Sequence, residues 1–371
     1  MKPVLVVNSG SSSLKYQLIS ENGTVKGLIE EIGSDRARLR HDGHEETRPA
    51  KDHDDALAWM LEKLRFDELL AVGHRVVHGG TRYTEPTIVD DDVEAGIEEL
   101  SPLAPLHNPV NLAGIRALRK LLPDVPQVAV FDTAFHATIP AVAATYALPL
   151  DVAEAHGIRR YGFHGTSCQY VVRRANLDNL VICHLGNGAS ATAVRDGRSV
   201  DTSMGLSPLE GLVMGTRSGD LDPAVPFHLI RAGFDPAAIE EILTKKSGLR
   251  GLAGVSDMRE VRKNATNGDE KAKRALDVYA YRIRKYIGSF LAVVPGVQAL
   301  VFTAGVGEND WRLRADVCGP LSHLGIELDD DANRAAVGVS EPTTIGTGPI
   351  QVLVIPTDEE SEIASQAAAA V

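Results

Sequence analysis

The chain has 371 residues, 44% hydrophobic and 24% charged, a balance that excludes disordered and fibrous classes and suits two globular domains. Its formal net charge of −12 argues against nucleic acid or an anionic membrane as the main partner, though a local arginine cluster can still hold an anionic substrate. Three cysteines, Cys168, Cys183 and Cys318, have no metal-ligand spacing and read as small buried hydrophobes of a reducing compartment.

From Met1 to Val7 the apolar run is too short for a signal peptide or a membrane span, so a cytoplasmic location is expected. Residues 4–7 read as a strand, Asn8 to Ser13 as a Gly/Ser turn and residues 14–20 as the returning strand. The polar segment 34–51 reads as a trimmed part of the first domain. Amphipathic helices are expected at 54–66 and 108–122, the second stopped by Pro123. Between them, 71–78 is strand-like and runs into Gly79-Gly80, and 127–131 is a short strand ending at Asp132. A second strand–turn–strand unit covers 180–184, the turn 185–189 and 190–195, with Asp196-Gly197 turning into 199–201. A third strand, 299–304, meets a turn at Gly305-Val306-Gly307-Glu308-Asn309 before a helix, and long helices are expected at 269–294 and 359–370.

The repeated openings predict an α/β fold of two duplicated domains. The boundary falls where Pro and Ala accumulate, giving residues 1–145 plus 360–371 as the N-terminal domain and 146–359 as the C-terminal one. In such folds ligands sit in a cleft, at strand ends and helix starts.

The turn Asn8-Ser9-Gly10-Ser11-Ser12-Ser13, with Lys15 just beyond, offers backbone N–H groups, hydroxyls and a charge to a phosphate, or is a plain Ser-rich turn. Gly186-Asn187-Gly188 and Gly305-Val306-Gly307 also follow strands, and three such turns suggest a nucleotide touching separate loops. No Walker A motif occurs, and Asp310 stands where a dinucleotide fingerprint needs glycine. Arg75 lies inside an apolar strand, so it must be paired with an acid or bound to an anion. Arg217, in a Gly-flanked loop, poses the same choice. Two such arginines on a cleft would hold a carboxylate and a phosphoryl group in transit. Asp132 and Glu359 each follow a strand and read as Mg²⁺ ligands or as ordinary helix-start acids. His107, His164 and His184 lie in Gly- or Pro-flanked loops, where function concentrates; His107 reads as structural, as does the pair His74/His78.

These residues belong to longer motifs: Val7–Tyr16 (VNSGSSSLKY), His74–Gly80 (HRVVHGG), Pro105–Pro109 (PLHNP), Phe131–His136 (FDTAFH) and Tyr161–Ser167 (YGFHGTS). They continue with His184–Ser190 (HLGNGAS), Met214–Asp220 (MGTRSGD), Thr303–Asn309 (TAGVGEN) and Pro356–Glu360 (PTDEE). Taken in this order across nearly the whole chain, the set resembles the acetate kinase family. The resemblance implies the acetate and sugar kinase/Hsp70/actin (ribonuclease H-like) fold, with an interdomain cleft closing on ATP, and a homodimer built on the nucleotide-binding C-terminal domain. It implies Mg²⁺ (or Mn²⁺), ATP/ADP, acetate and acetyl phosphate as ligands, with no nucleic acid or membrane partner.

Carried over motif by motif, Asn8, Arg75, Asp132, His164 and Arg217 would line the reaction centre. Asn8, Asp132 and Glu359 would hold the metal. Arg75, Val77, Leu106, Phe163 and Pro208 would receive the acid. Lys15, Ser11, Ser13, His184, Leu185, Gly186, Asn187 and Gly188 would touch the phosphates. Asp257, Met258, Arg259, Gly305, Val306, Gly307, Glu308 and Asn309 would surround the nucleoside. Cys168 stands where the family often has His, and Met258 where an aromatic can contact adenine. The activity implied is reversible, direct in-line transfer of the ATP γ-phosphoryl group to acetate; a propionate or butyrate kinase of the same family is the alternative.

Overall fold

The computed structural model describes residues 2–66 and 68–371, so Met1, which opens the apolar run, lies outside them. Two compact units emerge, Met1–Ala137 with Asp358–Val371, and Thr138–Thr357. Residues 138–145 therefore fall in the second unit, and Asp358 and Glu359 in the first, on the other sides of the limits drawn from composition. The reason is local. The short helix Ala141–Ala144 packs on a strand of the second unit, and Glu359 opens a helix that covers the first sheet.

The first unit is built on eight strands: β1 (Val4–Ser9), β2 (Ser13–Ser20), β3 (Gly23–Glu30), β4 (Ser34–His41), β5 (His44–Ala50), β6 (Ala71–Val76), β7 (Thr87–Ile88) and β8 (Gln127–Phe131). They lie in the order β5-β4-β3-β2-β1-β6-β8-β7, with β1, β6 and β8 parallel. The hairpin β4–β5 is the segment 34–51; Ala37, Leu39 and Ala50 are buried from it, so it extends the sheet.

Both faces of the central strands are covered, which is why β1 reads as an unbroken apolar run. Leu5 and Val7 pack with Leu57, Trp59 and Met60 of the helix His53–Lys63 and with Leu118 of the helix Asn108–Leu121. Val4 and Val6 face Ile363, Ala364 and Ala367 of the C-terminal helix Glu359–Ala370. That helix lies so close to β6 that a Cβ on Gly73 would come within 2.8 Å of Ile363 Cγ2.

The second unit repeats the plan with β9 (Leu180–Leu185), β10 (Ala189–Arg195), β11 (Arg198–Thr202), β12 (Ala299–Thr303), β13 (Thr343–Thr344) and β14 (Gln351–Val354), ordered β11-β10-β9-β12-β14-β13. Strands β9, β12 and β14 are parallel, and a short antiparallel strand closes the edge, as β7 does in the first unit. The duplication expected from the turns is therefore one of strand order and direction. Residues 304–309 differ from expectation: Ala304–Asn309 is helical straight after β12, and Ala304 alone makes the turn, at φ 64°.

Candidate active site

In the first unit the parallel strands deliver their C-terminal ends to one place, where ligands of such sheets bind. β1 ends beside Asn8, β6 carries Arg75 and β8 runs into Asp132. Arg75 grips Asp132 with both ends of its fork: Nη2 donates to Oδ2 at 2.5 Å and Nε to Oδ1 at 3.2 Å. Nη1 lies 3.5 Å from Asn8 Oδ1, and Glu359 Oε2 lies 4.0 Å from Nε. Burial disfavours the charge on Arg75, but the Asp132 and Glu359 carboxylates outweigh it and raise the pKa above its ordinary value.

The chain around this cluster is pinned by buried amides. Asn111 accepts from Val77 N and donates to Ser9 O, and Asn108 bonds both backbone groups of His78. Composition gave no hint of Asn111; only the motif holding Asn108 pointed here. His74 bonds Gln127, and burial drops its pKa to about 4, a neutral structural histidine.

The Ser-rich turn is closed by Gly10 N donating to Ser13 O at 2.8 Å, with Ser11 exposed. Lys15 forms a 2.5 Å ion pair with Glu360, next to Glu359. Val77 is buried, whereas Leu106 is 61% exposed. Among the described residues no group of three or more His, Cys, Asp or Glu forms a metal cage. What Asn8, Asp132 and Glu359 offer is an oxygen-only set around one guanidinium, a donor chemistry that suits Mg²⁺ sharing its sphere with phosphate.

In the second unit the turn after β9 is the centre. A Cβ on Gly188 would lie 3.4 Å from His164 Nε2 and 3.5 Å from Arg217 Nη1, so this glycine lets both side chains close over the backbone. Arg217 donates to Pro208 O at 3.1 Å and forms no ion pair among the described residues; burial lowers its pKa. Arg75 is thus paired with an acid inside the protein, whereas Arg217 has no such pair among the described residues. Phe163 is buried, and Pro208 touches Arg217 through its carbonyl.

A cavity of about 1100 Å³ in this unit is lined by Gly186, Asn187, Asp257, Met258, Arg259, Gly305, Val306 and Asn309 from the expected set. Leu185, Gly307 and Glu308 are not brought to it. Leu185 is an inward residue of β9, Gly307 is buried in the helix Ala304–Asn309, and Glu308 Oε1 accepts from Thr357 N at 3.0 Å. Gly188 and His184 do not line it either: Gly188 lies beside Arg217, and the His184 ring stacks on that of His164. Asp257 also caps the helix Met258–Thr266, and hydrogen bonding to Arg259 holds its pKa down at about 2.

Sequence reasoning missed an aromatic and basic part of the lining. Trp311 carries Arg312 at 4.4 Å and Arg334 at 5.4 Å from its ring centroid, and all three line the cavity. It also missed Arg314, fully buried, which donates to Asn333 Oδ1 and to the carbonyls of Gly307, Glu308, Asn333 and Ala336. A wholly buried arginine with no ion pair among the described residues is uncommon enough that no sequence pattern announces it.

The duplicated, mixed-sheet α/β scaffold is that of the acetate and sugar kinase/Hsp70/actin fold, and the chain is a phosphotransferase of that fold. The acetokinase family profile matches residues 3–365, and the chain belongs to that family. It is 53% identical over 390 residues to the acetate kinase of Streptomyces avermitilis, covering 98% of this chain and 96% of that one. Against the acetate kinase of Thermotoga maritima it is 52% identical over 389 residues, covering 97% and 96%. The crystal structure of Porphyromonas gingivalis acetate kinase superimposes with a TM-score of 0.94 at 42% identity, covering 100% of both chains. A propionate kinase from Francisella tularensis gives 0.94 at 38% identity, again over 100% of both.

Proposed function

We propose that this protein is an acetate kinase that catalyses reversible transfer of the γ-phosphoryl group of ATP to acetate, giving acetyl phosphate and ADP. The observation that carries the reading is Arg217: a half-buried guanidinium with no ion pair among the described residues, beside Gly188 and His164, is completed by an anionic ligand. Acetate is already an anion at neutral pH, so no strong base is needed. The residues have only to hold two negative groups in line and neutralise them. Arg75 and Arg217 hold the carboxylate and the phosphoryl group in transit, and His164 donates to the latter. Asn8, Asp132 and Glu359 hold Mg²⁺ (or Mn²⁺), which supplies charge to the phosphate oxygens. Ser11, Ser13, His184, Asn187 and Gly188 meet the phosphates, and Lys15 exchanges Glu360 for one. Asp257, Met258, Arg259, Gly305, Val306 and Asn309 meet the nucleoside. Val77, Leu106, Phe163 and Pro208 enclose the methyl group. The transfer is direct, with no phosphoenzyme.

A propionate preference is the second reading, favoured by the equal superposition of a structure titled propionate kinase. One methylene changes binding by only ~1–3 kcal/mol, so the two readings differ in rate and not in mechanism. An acyl-hydroxamate assay with Mg²⁺-ATP across formate, acetate, propionate and butyrate decides. Acetate is expected to give the highest kcat/KM, and a higher value on propionate or butyrate overturns the substrate.

The same reading includes a homodimer formed through the second unit. The helix Ala224–Arg231 has no buried residue, and Phe227 and Ile230 are 61% and 45% exposed, an apolar face that a second copy would cover. No helix among the described residues is long and apolar enough to cross a membrane. Three buried free thiols fit a cytoplasmic enzyme.

A further inference from the structure

Two imidazoles in the second unit stack on each other, and each is anchored by a serine on an element associated with the other. His164 immediately precedes the helix Gly165–Ala175, at φ 59°, and His184 lies on β9. Their ring centroids are 4.1 Å apart with planes inclined by 23°. His164 Nδ1 lies 2.9 Å from Ser190 Oγ on β10, and His184 Nδ1 lies 2.8 Å from Ser167 Oγ on that helix. Register explains the crossing: Ser190 is the cross-strand partner of His184, and directly opposed residues project from one face of a sheet. A ring laid on His184 therefore meets Ser190.

With both Nδ1 atoms engaged, the Nε2 edges turn toward the glycine loop. A Cβ on Gly188 would lie 3.4 Å from His164 Nε2, and one on Gly186 would lie 4.0 Å from His184 Nε2. Which ring nitrogen carries the proton then decides whether the loop faces donors or acceptors. Ser167 Oγ also meets Thr357 Oγ1 at 2.7 Å. Three groups in a row are satisfied if Thr357 donates to Ser167, and Ser167 to His184 Nδ1, each hydroxyl giving its one proton. The reverse sense requires the partly buried Thr357 hydroxyl to give its proton to solvent.

We propose that Ser190 and Ser167 are positioning residues for phosphoryl transfer. By donating to Nδ1 they fix His164 and His184 as Nε2–H tautomers, so that the stack presents two aligned N–H donors to the oxygens received by the loop. Both serines are fully buried, so water does not compete for these bonds. The inference rests on the reading of this loop as a phosphate site.

The test separates the two. Nitrogen-15 NMR of labelled histidine at alkaline pH reads each tautomer without turnover, with assignments from His164→Gln and His184→Gln. Both rings are expected as Nε2–H in the unaltered protein. Ser190→Ala is expected to convert His164 to a tautomer mixture and to lower kcat about ten- to a hundred-fold, with KM for ATP little changed. Ser190→Thr, which keeps the hydroxyl, is expected to restore both. An Nδ1–H ring at His164 in the unaltered protein, or full kcat in Ser190→Ala, overturns the proposal. Should Ser190→Ala fail to fold, Ser167→Ala and Thr357→Val put the same question to His184, with the same two outcomes. Nε2–H rings in a protein that forms no acyl phosphate would keep the tautomer assignment and sink the substrate reading.

Discussion

Removing the guanidinium of Arg75 and removing that of Arg217 should read out differently, because one is paired inside the protein and the other is not. Arg75→Ala takes the bidentate partner away from the Asp132 carboxylate, which is 2% exposed. Breaking such a pair costs several kcal/mol, and with Arg75 itself 21% exposed the low end, about 3 kcal/mol, is expected. Arg217→Ala removes a bond to one carbonyl and a contact to Met214 Sδ, so the fold loses little. Its rate loss should reach about a hundred- to a thousandfold, the scale of a deleted charge-stabilising donor. Urea denaturation and turnover measured on both variants check this. An Arg217→Ala enzyme with near-normal turnover would remove that residue from the site.

At the level of elements, the sequence was most informative where local chemistry sets the structure. The helices at 54–66, 108–122 and 269–294 appear as His53–Lys63, Asn108–Leu121 and Glu270–Val293, because apolar spacing, a capping Asp52 or Asp269, and Pro123 act within a few residues. The hairpin β4–β5 escaped notice because its inward residues, Ala37, Leu39 and Ala50, are few and flanked by charge. The helix Ala304–Asn309 was hidden by its glycines, which normally mark a turn. Asp132 was legible at a strand end, Arg75 inside a strand and Asn8 only through the family motif, but their meeting depends on parallel register.

Arg314 illustrates what tertiary context alone supplies. Its guanidinium joins the C-terminal carbonyls of the helix Ala304–Asn309 to those of the helix Asp330–Ala335, and both helices contribute to the cavity wall. Arg314→Met should leave buried carbonyls unpaired at about 1–3 kcal/mol each, partly relieved by relaxation. The KM for ATP should rise several-fold more than the KM for the acid. Equal changes in the two constants would mean that Arg314 supports the fold without shaping the nucleotide wall.

At the scale of the whole molecule, the helix Ala224–Arg231 meets the helix Pro236–Lys245 but buries none of its own residues. Val225, Phe227, Ile230 and the following Phe234 are 37%, 61%, 45% and 43% exposed, whereas the helix Glu270–Val293 buries an apolar stripe. Leaving such a face in water forgoes ~25 cal/mol for every Å² that a partner would cover. The net charge of −12 opposes association only weakly at physiological salt, where exposed charges are screened beyond about 8 Å. Sedimentation equilibrium should therefore return twice the 39.7 kDa chain mass. Introducing Phe227→Asp with Ile230→Asp should return the single-chain mass, with the circular dichroism spectrum unchanged because neither residue is buried within its own chain. A single-chain mass for the unaltered protein, or a dimer that survives both substitutions, would place the interface elsewhere or remove it.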